Sequence, residues 1–182
     1  MAKIGDNIIG ESVLDPFFRV ENGDSLGIDL PENRLGDSQR TVVRSLSGFQ
    51  KEALVRSTKT SHTWRLVSDE GPYLNGHDAA PCPLAFLSVG MAASFTEEIY
   101  ALASQQNIKI RDMRLILNNY YTMKGSMLKR TMVGGAENIE LEVEIDCDLD
   151  DEPLLNFLTS ATYASPLNGL MRGIHESLFK LS

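Results

Sequence analysis

Residues 81–104 read PCPLAFLSVGMAASFTEEIYALAS, and this stretch decides the fold. Apolar side chains recur in it at steps of three and four residues: Leu84, Leu87, Met91, Phe95, Ile99 and Leu102. That spacing predicts a helix over 83–104. The prolines at its start fit, because N–H groups in a first helical turn have no intrahelical acceptor. Further apolar residues widen the arc almost all the way round, so we expect a helix that is buried near the centre of the fold.

The segments on either side of this helix predict an α+β protein. Before it, the β-forming runs 41–46, 49–56 and 62–68 suggest a three-stranded antiparallel meander, and 69–78 is a loop. After it, 113–117 forms a strand, 120–130 continues that strand or forms another, Gly134-Gly135 makes a turn, and 140–145 is a strand with one buried face. The predicted chain ends with a helix over 153–163, a short helix from Ser165-Pro166 to about Arg172, and a short strand at 178–181.

Two parts of the chain differ in composition. Residues 1–40 hold eight acids and four bases, punctuated by five glycines and two prolines, which predicts an irregular N-terminal arm with short ordered pieces. Its apolar residues favour docking on the body of the protein or on a second subunit. Residues 41–182 are predicted to form the folded domain.

Composition narrows the classes of function. The 182 residues carry a net charge of −8, so the overall basic field typical of nucleic-acid binding is missing. No charge-free apolar run of about 18 residues is present, which predicts no membrane span. With no signal-peptide pattern at the start and only two cysteines, we expect a cytoplasmic protein with reduced thiols.

Two motifs carry a resemblance to a known family. The run from Asn75-Gly76-His77 through Pro81-Cys82-Pro83-Leu84 into the long helix, and the later run Ser165-Pro166-Leu167-Asn168, resemble the marks of the OsmC/Ohr family. This family comprises osmotically inducible protein C and the organic hydroperoxide resistance proteins, which act in stress response and detoxification. The resemblance covers roughly residues 41–182.

The resemblance implies an OsmC-like fold in which antiparallel sheets wrap a long buried central helix and two chains intertwine as a homodimer. It also implies active sites at the dimer interface, where a thiolate reduces an organic hydroperoxide and a second cysteine resolves the sulfenic acid. Counted from Pro81, the family's reactive cysteine falls at Ala92, and its second cysteine falls at Ser165. Neither residue can supply a thiolate, so we expect a degenerate site. The arginine that the family places there comes from an early strand or loop, and Arg44 and Arg56 are both candidates.

Three functions follow as hypotheses. The first is binding or transformation of a small, mostly apolar ligand at the dimer interface, with a candidate site lined by Ala92, Ser165, Met91, Phe95 and Met171. The second is a thiol-dependent hydroperoxide reductase or other enzyme that uses Cys82 at the helix start, assisted by His77. The third is a non-catalytic partner of an active paralogue.

The sequence predicts no metal site and no cofactor. His62, His77 and His175 lack ligand spacing, and neither an HExxH nor a paired CxxC motif occurs. The acidic run 146–152 has the first carboxylates of a calcium loop but lacks its glycine and its closing glutamate. We interpret that run as a solvated turn and helix start. Cys147, between Asp146 and Asp148, is predicted to be inert.

Overall fold

The computed structural model of the protein describes residues 38–46, 49–60, 62–173 and 177–178, together with the backbone of 18–20. The chain divides into two compact units, Met1–Phe86 and Leu87–Ser182. Each unit has antiparallel sheet, and the long helix begins in the first unit and continues in the second. The predicted α+β class is therefore confirmed.

The first unit contains a four-stranded antiparallel sheet in the order β1-β4-β3-β2. Its strands are β1 (Phe18–Val20), β2 (Gln39–Ser45), β3 (Lys51–Ser57) and β4 (Thr63–Ser68). The predicted meander is confirmed, with Thr41 opposite Val55 and Ala53 opposite Leu66. β1, which lies within the predicted N-terminal arm, pairs with the free edge of β4. Whether residues 1–40 form a separate arm stays a prediction.

The helix predicted over 83–104 is confirmed as α1 (Pro83–Gln106). Asn107 ends it in the left-handed conformation, with φ 57°, and the N–H of Ile108 returns to the carbonyl of Ala103 at 2.9 Å. This geometry satisfies carbonyl groups that a helix end would otherwise leave without partners.

The predicted burial of α1 on most sides is wrong for the single chain. One stripe is buried: Met91, Phe95, Ile99 and Ala103. Leu84, Leu87 and Val89 remain 46 %, 40 % and 67 % exposed. The sequence pattern predicts which faces of a helix are apolar, but it does not predict whether the same chain covers those faces.

The second unit contains two strand pairs. β5 (Ile110–Asn118) pairs with β8 (Glu140–Cys147), and β6 (Tyr121–Lys124) pairs with β7 (Val133–Ala136). The predicted turn at Gly134-Gly135 is wrong, because both glycines lie inside β7. A side chain is sterically disfavoured at Gly135 alone, since a Cβ there would lie 2.8 Å from the hydroxyl of Thr122. The hairpin turns instead between Gly125, with φ 105°, and Arg130, with φ 52°.

Two helices complete the second unit and close its core. α2 (Asp151–Ala164) and α3 (Pro166–Arg172) confirm the predicted elements at 153–163 and after Ser165-Pro166. The buried cluster joins α1 to α2 through Ile99, Ala103, Phe157 and Ala161. Partly buried residues of β5, among them Met113 and Leu115, pack against it. Of the predicted last strand, Leu178 is exposed without regular structure and 179–182 lie outside the described residues.

Within the described ranges, no helix is both long enough and apolar enough to cross a membrane.

Candidate functional site

A pair of serine hydroxyls lies between two helices of the second unit. The Oγ of Ser94 on α1 is 2.9 Å from the Oγ of Ser165, which separates α2 from α3. Ser165 is 1 % exposed, although serine is usually a surface residue. A buried hydroxyl needs hydrogen-bond partners, and this contact provides one for each of the two serines.

Local backbone geometry explains why Ser165 is placed so firmly. Its backbone ends α2 and begins α3, with extended angles of φ −60° and ψ 125°. Its Oγ accepts a hydrogen bond from the N–H of Asn168 at 3.2 Å, and Pro166 follows as the first residue of α3. This is the usual N-cap arrangement, in which a serine oxygen serves a helix N–H.

Two buried apolar side chains and a glycine lie within four residues of Ser94 on α1. Met91 and Phe95 are 1 % and 0 % exposed on the buried stripe of α1. Gly90 lies one turn before Ser94, and a Cβ placed there would lie 3.7 Å from Leu167 of α3. A Cβ at that distance would make an ordinary van der Waals contact, so α3 packs against α1 at this turn of the helix.

Of the two predicted cysteine positions, Ser165 lies in hydrogen-bond contact with Ser94. Ala92 has only a methyl side chain and forms no such hydrogen bond. Ala92 is half-buried, and its carbonyl accepts a hydrogen bond from the hydroxyl of Thr96 at 2.9 Å. Ser94 was not among the residues predicted from the sequence. It could have been found by counting from the other proline: Ala92 lies eleven residues after Pro81, and Ser94 lies eleven residues after Pro83, which is the first residue of α1.

A cleft of about 640 Å³ opens beside α3 in the same unit. Its wall is formed by the segments after β5 and β7 and by one side of α3: Asn119, Tyr120, Tyr121, Ala136, Glu137, Asn138, Ile139, Asn168, Met171 and Arg172. Met171, one of the predicted ligand-binding residues, is part of this wall. Asn168 links the cleft to the serine pair, because its N–H is bonded to Ser165.

Cys82 and His77 lie in the first unit, before α1. The Cys82 carbonyl accepts hydrogen bonds from the N–H groups of Ala85 and Phe86 at 3.0 and 3.4 Å, so Cys82 stands at the start of the helix. Its thiol is partly exposed. The imidazole of His77 is exposed, and within the described residues no hydrogen bond joins it to Cys82. Cys147 lies at the end of β8, opposite Ile110.

The loop before α1 is organised by a buried carboxylate. Asp69 is 0 % exposed and accepts hydrogen bonds from the N–H groups of Glu70, His77 and Ala79 at 2.8 to 3.2 Å. Burial alone would raise the pKa of Asp69, but these hydrogen bonds together outweigh burial and hold that pKa below its ordinary value. The contribution of His77 to the loop therefore comes from its backbone.

Carboxylates form ion pairs with arginines at two places in the structure. Glu52 of β3 pairs with Arg65 and Arg44, and these two guanidinium groups lower its pKa. In the second unit Arg111 pairs with Asp146 and Asp148, which lowers the pKa of Asp146. Asp146 and Asp148, whose spacing suggested a calcium loop, thus both pair with Arg111, whose single positive charge offsets one of their two negative charges. In the described part of the chain, no group of three His, Cys, Asp or Glu residues has the arrangement to hold a metal ion.

Comparison with solved structures identifies the fold. An OsmC-like hydroperoxide resistance protein from Jannaschia sp. CCS1 superposes with a TM-score of 0.52 and 16 % identity, covering 80 % of this chain and 93 % of that one. The organic hydroperoxide resistance protein OsmC from Legionella pneumophila gives 0.56 at 18 % identity, covering 75 % and 90 %. An OsmC-like protein of unknown function from Vibrio cholerae gives 0.55 at 8 % identity, covering 74 % and 94 %.

The chain therefore has the OsmC/Ohr fold, and the resemblance found in the sequence is confirmed at the level of fold. No protein-family model matches the chain, and no curated protein sequence matches it.

Proposed function

We propose that this protein is a ligand-binding member of the OsmC/Ohr fold class that has lost thiol chemistry. In this proposal it acts as a homodimer and binds a small, mostly apolar organic molecule next to Ser94 and Ser165. The observation that carries the proposal is the pair of serine hydroxyls 2.9 Å apart on α1 and at the start of α3.

The chemistry of serine argues against peroxide reduction at this position. A thiolate attacks a peroxide oxygen and becomes a sulfenic acid, whereas a serine hydroxyl has no comparable oxidation step. Two adjacent hydroxyls are suited to hydrogen bonding instead. They carry two protons, and their mutual hydrogen bond uses one of them. The second proton is available to an acceptor atom of a bound molecule.

The surroundings favour a ligand with a substantial apolar part. Met91 and Phe95 line the buried side of α1 near Ser94, and Met171 borders the cleft that Asn168 connects to Ser165. A volume of about 640 Å³ lies within the range of known small-molecule sites. We infer that the cleft is where the ligand enters.

Catalysis at Cys82 is the second candidate function. It is favoured by one specific observation, the partly exposed thiol at the N-terminus of α1. Reactive cysteines are often found at helix N-termini, where the thiol is accessible to a substrate. The missing hydrogen bond from His77 counts against this candidate.

A turnover assay separates the two candidates. The purified protein is mixed with cumene hydroperoxide and dithiothreitol, and peroxide consumption is followed for the wild type, Cys82→Ala and Cys147→Ala. We expect all three proteins to consume peroxide at the rate of the protein-free mixture. Turnover in the wild type and in Cys147→Ala that disappears in Cys82→Ala would overturn the binding proposal and establish the enzyme.

A further inference from the structure

Two asparagines of the cleft beside α3 each donate one amide N–H to a partner within the protein. The Nδ2 of Asn168 donates to the carbonyl of Thr162 at 2.7 Å, and the Nδ2 of Asn119 donates to the hydroxyl of Ser88 at 2.8 Å. A carbonyl only accepts, which fixes the orientation of the Asn168 amide. The Oδ1 atom of Asn168 thus remains available as an acceptor.

The charged side chains that line the cleft are Glu137 and Arg172, and they are held differently. Among the described residues that line it, Glu137 carries a carboxylate without a hydrogen-bond or ion-pair partner there. Arg172 is held elsewhere: its guanidinium lies 3.5 Å from the centre of the Tyr163 ring and donates to the Tyr163 carbonyl at 3.1 Å. The positive charge of Arg172 is therefore engaged by α2, whereas the negative charge of Glu137 has no such partner.

Two tyrosines supply apolar and π surface next to Glu137. Tyr120 and Tyr121 both line the cleft and are 43 % and 40 % exposed. The hydroxyl of Tyr120 donates to Glu140 at 2.6 Å, and that contact raises the pKa of Tyr120, so the ring stays neutral. Neutral aromatic faces attract cations, and this attraction adds to that of a nearby carboxylate.

We propose that the cleft binds an organic amine, with its ammonium group at Glu137 and its apolar part against Tyr120, Tyr121 and Met171. The inference rests on the proposed function, since it names the chemical class of the ligand for the cleft through which that ligand is proposed to enter. An ammonium group is a cation with several N–H donors. Its donors can bond to a free acceptor atom, and its charge is attracted by a carboxylate and by aromatic faces.

A matched pair of probes tests the charge requirement. Benzylamine, protonated at pH 7, and its neutral analogue benzyl alcohol are titrated into the full-length protein, and the backbone amide shifts of Glu137 and Asn138 are followed by NMR. We expect benzylamine to bind about fivefold more tightly, the size of one exposed ion pair with a cation–π contact. In Glu137→Gln that ratio should fall to about twofold, because only the cation–π contact with the tyrosines remains.

Glu142→Gln is the control, because Glu142 is an exposed acid of β8 that does not line the cleft, and the substitution changes the net charge equally. In Glu142→Gln the ratio of the affinities for benzylamine and benzyl alcohol should keep its wild-type value. Equal binding of both probes to the wild type would overturn the amine inference and leave the proposed ligand site standing. A lack of shifts with either probe would overturn both proposals. A ratio lost equally in both variants would show general electrostatic attraction and would also overturn the amine inference.

Discussion

Ser165 performs two tasks that a single residue seldom combines. Its backbone joins α2 to α3, and its hydroxyl both caps α3 and contacts Ser94. We expect Ser165→Ala to lower the free energy of unfolding by about 1–2 kcal/mol, the usual effect of losing an N-cap. Ser94→Ala keeps the cap and should have a smaller effect. Urea unfolding of both variants measures this difference, and equal losses would show that the cap contributes nothing.

Asp69 predicts a specific loss of stability in acid. Its native pKa lies below the ordinary 3.8, so the charged form is favoured in the folded state. The resulting stabilisation is complete when the pH is above the ordinary pKa, and it disappears as the pH falls through the lowered pKa of the native state. We expect Asp69→Asn to melt below the wild type at pH 7, and we expect the two melting temperatures to converge as the pH falls below 3.8 and through the lowered native pKa.

Asp78→Asn is a matched control for this experiment, since it makes the same change in the same loop at an exposed side chain. It should melt like the wild type across the whole pH range. A pH-independent gap between Asp69→Asn and the wild type would contradict the assignment to the carboxylate charge.

Sequence reasoning reached the site only in part, and Ser94 shows why. The Ser165-Pro166 motif is local, so its position could be read without a structure. The first residue of α1 could not be predicted in the same way, because Pro81 and Pro83 both fit the start of a helix. Only the structure shows that α1 begins at Pro83. Asp69 illustrates the same limit, since its three backbone donors depend on how residues 70–79 fold around it. The roles of Ala92, Phe95 and Met171 in ligand binding stay predictions.

At the scale of elements, strong local sequence patterns were sufficient to predict a helix or a strand, and weak patterns were not. The 3.6-residue period of α1 and the alternation in β8 predicted both elements, because burial on one face imposes those periods. β6 and β7 have no such signal. Gly134-Gly135 looks like a turn on composition alone, whereas its place in a strand comes from pairing with β6, where Gly134 lies opposite Met123 and Gly135 opposite Thr122.

The tip of this hairpin offers a prediction about stability. Leu128 is 97 % exposed, whereas Leu54 of β3 is 8 % exposed. We expect Leu54→Ala to destabilise the protein by about 2–5 kcal/mol, because it removes buried methyl groups and leaves a cavity. Leu128→Ala should stay within about 0.5 kcal/mol of the wild type, as exposed substitutions usually do. Thermal unfolding compares the two, and a large loss for Leu128→Ala would show that a partner covers the tip.

At the scale of the whole molecule, the apolar residues that α1 leaves exposed need an explanation. Val89 is 67 % exposed in the middle of a helix whose opposite stripe is fully buried. Exposed apolar surface of this kind on a central element is typical of a subunit interface. The homodimer implied by the family resemblance would cover it with the second copy, which removes that surface from water and explains why α1 is apolar on nearly every side.

The proposed dimer can be tested with two variants of equal exposure. Val89→Asp places a charge on the exposed side of α1, and Leu155→Asp places one on α2, where Leu155 is also 67 % exposed. We expect native mass spectrometry to report a dimer for the wild type and for Leu155→Asp, and mainly a monomer for Val89→Asp, because burying an unpaired carboxylate at an interface is strongly unfavourable. Far-ultraviolet circular dichroism should show that Val89→Asp keeps its helices, since the substituted side chain faces water in the single chain. A wild-type monomer, or a Val89→Asp dimer as stable as the wild type, would show that the exposed face of α1 is not where two copies meet.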